Sequence, residues 1–413
     1  MDSAYRYEQD TLYCEQVALA DVASREGTPC YVYSTSAILR RLRAYQEAFG
    51  NTPHAICYAV KANGNLSLLR LLAKEGAGFD IVSGGELFRV LKAGGKASSV
   101  VFSGVGKTAD EIAYALDQGI YGFNCESEGE LALIDTLAER RGVTARVAVR
   151  VNPDVDAATH PYISTGLREH KFGIDIAEVE AVYERARALK HLALEGVSCH
   201  IGSQILDPSP MLEAAGRLVA LAQRLREKGF DIRHLDLGGG VGVPYRPGES
   251  SPSITEFVTA LCALAEGSGL RVLLEPGRSL VAEAGLLLTR VLYRKRNGKK
   301  EFVIVDASMT ELIRPALYGA YHGILPLRRA HRGVIRADVV GPVCETGDFL
   351  ARGREIDNVL PGDLLAVCTA GAYGFAQASN YNARPRPAEV LIDGDKYNVI
   401  RARESYDDLI RGE

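Results

Sequence analysis

Residues 55–72 read Ala55-Ile56-Cys57-Tyr58-Ala59-Val60-Lys61-Ala62-Asn63-Gly64-Asn65-Leu66-Ser67-Leu68-Leu69-Arg70-Leu71-Leu72. The opening residues form an apolar run of strand length, and Asn63-Gly64-Asn65 is turn chemistry. From Leu66 the leucines recur at helical spacing, so the stretch is one strand, one turn and one helix. That unit repeats. Strand-like runs at 55–61, 78–83, 99–103, 121–125, 146–152, 194–201, 234–238 and 271–275 alternate with amphipathic stretches such as 109–118, 128–141, 176–190 and 211–228. Gly76, Gly119, Gly142 and Gly229 close several of these stretches, as helix C-caps do. Eight consecutive β/α units predict an α/β fold of the (β/α)8 TIM-barrel type, in preference to a doubly wound sheet.

After about residue 280 the pattern changes. Runs at 286–295 and 301–306 flank Asn297-Gly298, a hairpin signal, and 334–343, 363–370, 388–392 and 397–401 continue as short strands. A second, all-β domain of barrel or sandwich type is expected over 279–413, after a barrel over 31–278 and an N-terminal arm over 1–30. A chain of 413 residues exceeds one ordinary core, in keeping with two domains. Hydrophobic content of 47% with 24% charged residues is that of a globular protein, and a net charge of -4 offers no basic surface for nucleic acid. No apolar run is long enough to span a bilayer, and the start lacks an apolar signal core. The eight cysteines include no Cys-x-x-Cys pair, so neither a metal site nor a disulfide framework is expected. Cys57, Cys125 and Cys199 read as core thiols, and the localisation expected is cytoplasmic.

In a barrel of this type the site is built at the C-terminal strand ends. The polar residues there are Lys61, Asp80, Ser83, Ser103, Arg150, His200, Gly238-Gly239-Gly240 and Glu275. Each has a plain explanation alone. Lys61 could meet a carboxylate or serve as a Schiff-base amine. The glycines could make a tight turn or let backbone N–H groups approach a phosphate. Neither a Gly-x-Gly-x-x-Gly pattern nor a Walker lysine is present to suggest a nucleotide. Glu275 could pair with Arg278 or Arg150, or meet a pyridinium nitrogen. His200 could be a core histidine or stack on a flat ring. Together, an amine, a phosphate loop, an acid for a ring nitrogen and an imidazole for a ring face describe pyridoxal 5'-phosphate.

On these residues the chain resembles the fold-type III pyridoxal-phosphate-dependent decarboxylases, and among them the diaminopimelate decarboxylases. The motifs are Tyr58-Ala59-Val60-Lys61-Ala62-Asn63, Phe79-Asp80-Ile81-Val82-Ser83-Gly84-Gly85-Glu86, Lys171-Phe172-Gly173, Cys199-His200-Ile201-Gly202-Ser203-Gln204, Gly238-Gly239-Gly240-Val241-Gly242 and Glu275-Pro276-Gly277-Arg278. Val343-Cys344-Glu345-Thr346-Gly347-Asp348 and Ala370-Gly371-Ala372-Tyr373-Gly374 extend the match through the second domain. The resemblance implies that the N-terminal arm joins the β-domain and that the protein is a homodimer with sites shared across the interface. It makes Lys61 the Schiff-base lysine and His200 the ring-stacking group. Asp80, Ser203, Gly238, Gly239, Gly240, Glu275, Gly277, Arg278 and Tyr373 complete the cofactor contacts. Arg278, Arg314, Tyr318 and Tyr373 are implied for the distal carboxylate of the substrate. Glu345 is implied for its distal amino group, and Cys344, from the partner subunit, as a proton donor.

The implied reaction is decarboxylation of meso-2,6-diaminopimelate to L-lysine and carbon dioxide, the last step of lysine biosynthesis. Two arginines against Glu345 suit a second amino-acid head. The alternatives are a decarboxylase of another basic amino acid or of carboxynorspermidine, and a non-catalytic carrier of the cofactor. His160 and Tyr162 mark a candidate mobile loop over the site. His170 stands where the family more often has a small polar residue.

Overall fold

The computed structural model describes residues 3–156 and 171–413. His160, Tyr162 and His170 lie outside the described residues. The chain divides into two compact units, one made of Leu42–Val243 and Ser250–Gly277, the other of Met1–Arg41, Pro244–Glu249 and Arg278–Glu413.

The first unit is the expected barrel. Its strands are His54–Ala59, Gly78–Ile81, Val100–Phe102, Gly122–Cys125, Ala145–Asn152, Leu192–Ser198, His234–Asp236 and Arg271–Leu274. Each pairs in parallel with the next. The last pairs with the first, Leu273 opposite Ala55, and closes the ring. Parallel strands covered on both faces have no solvent side, so they read as apolar runs without alternation. Cys57, Val101 and Leu273 pack together inside, with Ala55 and Tyr121 against them. The connecting helices are punctuated as their sequences predict. Thr108 and Glu111 form a capping box at the start of Ala109–Gln118, and Gly119 ends it with φ 66°. One short strand, Ile174–Asp175, lies beside the fifth barrel strand and had no signal in the sequence.

The second unit is built on the long strand Gly285–Asn297. Its first half pairs with Cys30–Ser34 on one edge and Leu364–Val367 on the other, and its second half pairs with Lys300–Val305. Val334–Val340 and Phe349–Asp357 extend the sheet on one side, Ala388–Asp393 and Lys396–Arg401 on the other. Ile324–Pro326 pairs with Leu364–Val367. The N-terminal residues add a separate three-stranded sheet of Tyr5–Glu8, Thr11–Cys14 and Val17–Ala18.

The boundary expected at residue 31 moves to 41/42. All of Cys30–Ser34 is buried, hydrogen-bonded on both edges by strands that follow it by more than 250 residues. A buried central strand and a barrel strand look alike in sequence, since both are short apolar runs. Deleting residues 1–34 would leave Gly285–Leu288 and Ala388–Ile392 with open, apolar edges. The truncated protein is expected to aggregate in size-exclusion chromatography; recovery of a folded species of native size would contradict this placement.

His234 lies buried inside the barrel, its ring 5.5 Å from that of Tyr121. Burial, with Arg271 and Arg146 adding to it, pushes its pKa down to about 4. A folded pKa below the unfolded one means that the unfolded chain takes up the proton first, so stability falls as pH drops from the usual histidine range toward 4. Urea unfolding of wild type should lose up to about 1.4 kcal/mol per pH unit in that window relative to His234→Gln. Parallel pH profiles would show that His234 contributes nothing.

Candidate active site

The first barrel strand stops at Ala59, and a single 3-10 turn, Val60–Ala62, carries Lys61 just beyond it. Its Nζ pairs with Asp80 Oδ2 on the second strand. The Asp80 side chain is fully buried, while Lys61 keeps 35% of its side chain exposed. The other Asp80 oxygen, Oδ1, finds no hydrogen-bond partner among the described residues. Lys61 therefore has the ion pair of the plain reading and the exposed mouth position of the sharper one.

The acid expected for a ring nitrogen, Glu275, follows the eighth strand and is buried. Its Oε1 accepts from Ser103 Oγ at 3.2 Å and from Asn124 Nδ2 at 3.3 Å. Asn124 also donates to Asp236 Oδ2 at 2.8 Å and to Ser103 Oγ at 3.1 Å, and the Gly238 N–H donates to Asp236 Oδ1 at 3.0 Å. Burial first, then the charges of Asp236 and Asp80, push the Glu275 pKa well above the usual carboxylate range, with Lys61 acting against them. Burial raises the Asp236 pKa as well, but the donors Asn124 and Gly238 N–H pull it back down, so of the two Glu275 favours the proton.

His200 follows the sixth strand. Loss of hydration, then the charges of Arg150 and Lys61, drive its pKa well below the usual histidine value. The ring is thus neutral, with Nδ1 accepting the Gly239 N–H at 3.3 Å. Arg150 Nη1 pairs with buried Glu126 at 2.7 Å, and its Nη2 donates to the His200 carbonyl at 3.3 Å. Glu126 also accepts the Gly173 N–H at 2.8 Å, and Phe172 lies 4.7 Å from the Arg150 guanidinium. The Lys171-Phe172-Gly173 motif is therefore anchored beneath Arg150.

The loops after the sixth and seventh strands are laced together. Ile205 N donates to Gly240 O and Gly242 N to Ile205 O, both at 2.9 Å, and Gln204 bonds both backbone groups of Val243. Ser203 sits within this lacing. A Cβ on Gly239 would lie 2.3 Å from the Glu275 carbonyl oxygen. On Gly240, at φ 127°, it would lie 2.8 Å from the Gly202 carbonyl. Only glycine lets these backbones approach so closely. A Cβ on Gly277 would lie 3.1 Å from the Cβ atoms of both Ala59 and Ala62, so glycine lets the segment after Glu275 pack closely against the turn that bears Lys61. Ser83 is accounted for otherwise: its Oγ caps the helix Gly84–Lys92.

These features fit pyridoxal phosphate. A reactive amine beside a buried acid, a carboxyl group short of positive charge, a neutral imidazole and a glycine cradle are the groups that cofactor needs. Among the described residues no cluster of His, Cys, Asp and Glu has the make-up of a metal site.

The second unit holds another polar cluster. Arg278 Nη1 donates to Tyr245 Oη at 2.7 Å, and its guanidinium lies 4.9 Å from the Tyr373 ring centroid. Arg314 lies 4.5 Å from the Tyr245 ring centroid and meets His322 Nε2 at 2.9 Å. Tyr318 Oη accepts from Gln377 at 3.4 Å. Cys344 and Glu345 are exposed on the turn between Val334–Val340 and Phe349–Asp357. Asp348 staples that turn by accepting the N–H groups of Met309 and Val343, both at 2.7 Å.

Asn124, Glu126, Asp236, Tyr245 and His322 were not read as site residues from the sequence. A polar residue inside the buried run Gly122–Cys125 was a usable signal for Asn124. Tyr245 and His322 lie in irregular segments with no periodicity to mark them.

Residues 35–282 match the family model described as pyridoxal-dependent decarboxylase, pyridoxal binding domain. The chain is 54% identical to the diaminopimelate decarboxylase of Pseudomonas aeruginosa over 99% of this chain and 98% of that one. It is 50% identical to that of Aquifex aeolicus, over 98% and 96%. The crystal structure of diaminopimelate decarboxylase from Helicobacter pylori complexed with L-lysine superposes with a TM-score of 0.92 at 44% identity, covering 95% of this chain and 98% of that one. The chain belongs to the pyridoxal-dependent decarboxylase family, and within it to the diaminopimelate decarboxylases.

Proposed function

We propose that this protein decarboxylates meso-2,6-diaminopimelate to L-lysine and carbon dioxide, with pyridoxal 5'-phosphate as cofactor. The observation that carries the reading is the buried acid lattice around Glu275, set beside Lys61 and the glycine cradle. When bound, the cofactor supplies an electron sink for the pair left on the α-carbon as carbon dioxide departs. Lys61 would hold its carbonyl carbon, and the backbone of Gly238–Gly240, with Ser203 and Tyr373, its phosphate. His200, kept neutral, would cover the ring face without adding a competing positive charge. Glu275 would hold a proton at the ring nitrogen, and Asp80 would balance the charge of Lys61.

The remaining assignments concern the substrate. Arg278 and Arg314, with Tyr318 and Tyr373, would grip the distal carboxylate. Glu345 would take the distal ammonium, and Cys344 would return a proton to the α-carbon. Both residues stand exposed in the single chain, which supports their serving a site in a partner subunit of a homodimer. The chain's scattered thiols support a cytoplasmic setting, and no helix among the described residues is long and apolar enough to cross a membrane.

Carbon dioxide release from meso-diaminopimelate should exceed that from L-lysine, L-ornithine and L-arginine by roughly 100-fold or more in kcat/KM, because the other substrates lack the distal carboxylate that the arginines would bind. Ornithine turning over faster would overturn the assignment. Lys61→Ala should abolish the yellow absorbance of the loaded protein and lower kcat by at least about 1000-fold, read by spectrophotometry and the same assay.

A further inference from the structure

Arg314 opens the short helix Arg314–Tyr318 and is only 6% exposed. Among the described residues no carboxylate is ion-paired to it. Its directed partner is His322, whose side chain is fully buried, with Nε2 at 2.9 Å from Arg314 Nη1 and Nδ1 at 2.8 Å from the Cys368 carbonyl oxygen. The carbonyl can only accept, so Nδ1 carries the hydrogen; the guanidinium can only donate, so Nε2 is the acceptor. The neutral imidazole alone satisfies both ends.

The chain of contacts starts in the sheet. Cys368 follows the strand Leu364–Val367, and its N–H donates to Gly323 O at 2.8 Å, fixing the residue next to His322. Arg354 Nη1 donates to the His322 carbonyl at 2.7 Å. The Tyr245 ring stands edge-on to the imidazole at 5.3 Å while its hydroxyl holds Arg278. The Arg314 guanidinium is thus aimed by a neutral partner.

We propose that His322 is a positioning residue for substrate recognition, orienting the Arg314 guanidinium through a neutral acceptor so that its whole charge remains for the distal carboxylate of the substrate. This rests on Arg314 being the receptor for that carboxylate. A glutamate at 322 could reach the guanidinium and would cancel its charge. An apolar residue would leave the charge unaimed. Burial, then the charge of Arg314, with Arg278 and Arg354 behind it, pushes the His322 pKa down to about 3, so the acceptor persists through the neutral range.

The two amides that mimic one ring nitrogen each make the test. His322→Gln can carry an oxygen toward the Nε2 position and still accept from Arg314. His322→Asn reaches only the Nδ1 position, so it keeps the donor to Cys368 and loses the acceptor. In the pyridoxal-phosphate-loaded enzyme, His322→Asn should raise KM for meso-diaminopimelate roughly tenfold or more, with kcat within about threefold of wild type. His322→Gln should restore KM to within about threefold, and cofactor absorbance should match wild type in both. Equal KM values for the two variants would overturn the proposal. Arg314→Ala separates the two levels: an unchanged KM there would overturn the reading of Arg314 itself, whereas a raised KM beside an unaffected His322→Asn would overturn only the positioning role. Should both amide variants fail to fold, 15N spectra of histidine-labelled wild type at neutral pH decide: the proposal expects a bare Nε2 on His322, and a protonated one overturns it.

Discussion

Asp80, Asp236 and Glu275 are all buried at the mouth of one barrel, and the positive charge of Lys61 answers Asp80 directly and Glu275 through space. Burying a carboxylate costs several kcal/mol unless charge or hydrogen bonds answer it. The rim is arranged around that constraint. Asn124 bridges two of the acids, Ser103 adds a donor to the third side of the lattice, and the Gly238 N–H caps Asp236. The outcome is a division of labour in which Glu275 favours the proton over Asp236, and Lys61 is tethered to Asp80. A cofactor with a protonatable ring nitrogen and an electrophilic carbonyl completes this set of charges, which no apolar ligand would do.

The second unit manages the opposite charge in a different way. Arg278 and Arg314 are buried and meet a phenol, ring faces and a neutral imidazole. Such partners supply direction at little cost in net charge. The turn bearing Cys344 and Glu345 is rigidified by Asp348 and yet leaves both side chains exposed.

Much of this was legible in the sequence for specific reasons. The alternation of apolar runs with helical periodicity survives in any parallel barrel, because both faces of each strand are covered and each crossover needs a helix. Lys61, Asp80, His200, Gly238–Gly240 and Glu275 were found because the barrel's rule places them at the ends of such runs. Tyr31–Ser34 were placed with the barrel, whereas their partners lie at Gly285–Leu288 and Ala388–Ile392. Asn124 left a signal, a polar residue inside a buried run, whereas Glu126 follows the strand's end and says little until its partners are known.

The sequence by itself determined the β/α repeat, the all-β continuation and which polar residues stand at the C-terminal ends of the barrel strands, because these depend on local periodicity and on residue type. Only the tertiary structure decided which carboxylate keeps a proton, which loop clamps the glycine cradle, and that a neutral His322 aims Arg314. Those properties arise from burial and from contacts between residues such as Glu275 and Ser103, 172 positions apart, or His322 and Cys368, 46 apart. Protonation and orientation are set by the local field and the hydrogen-bond partner, and neither exists until the chain has closed around them.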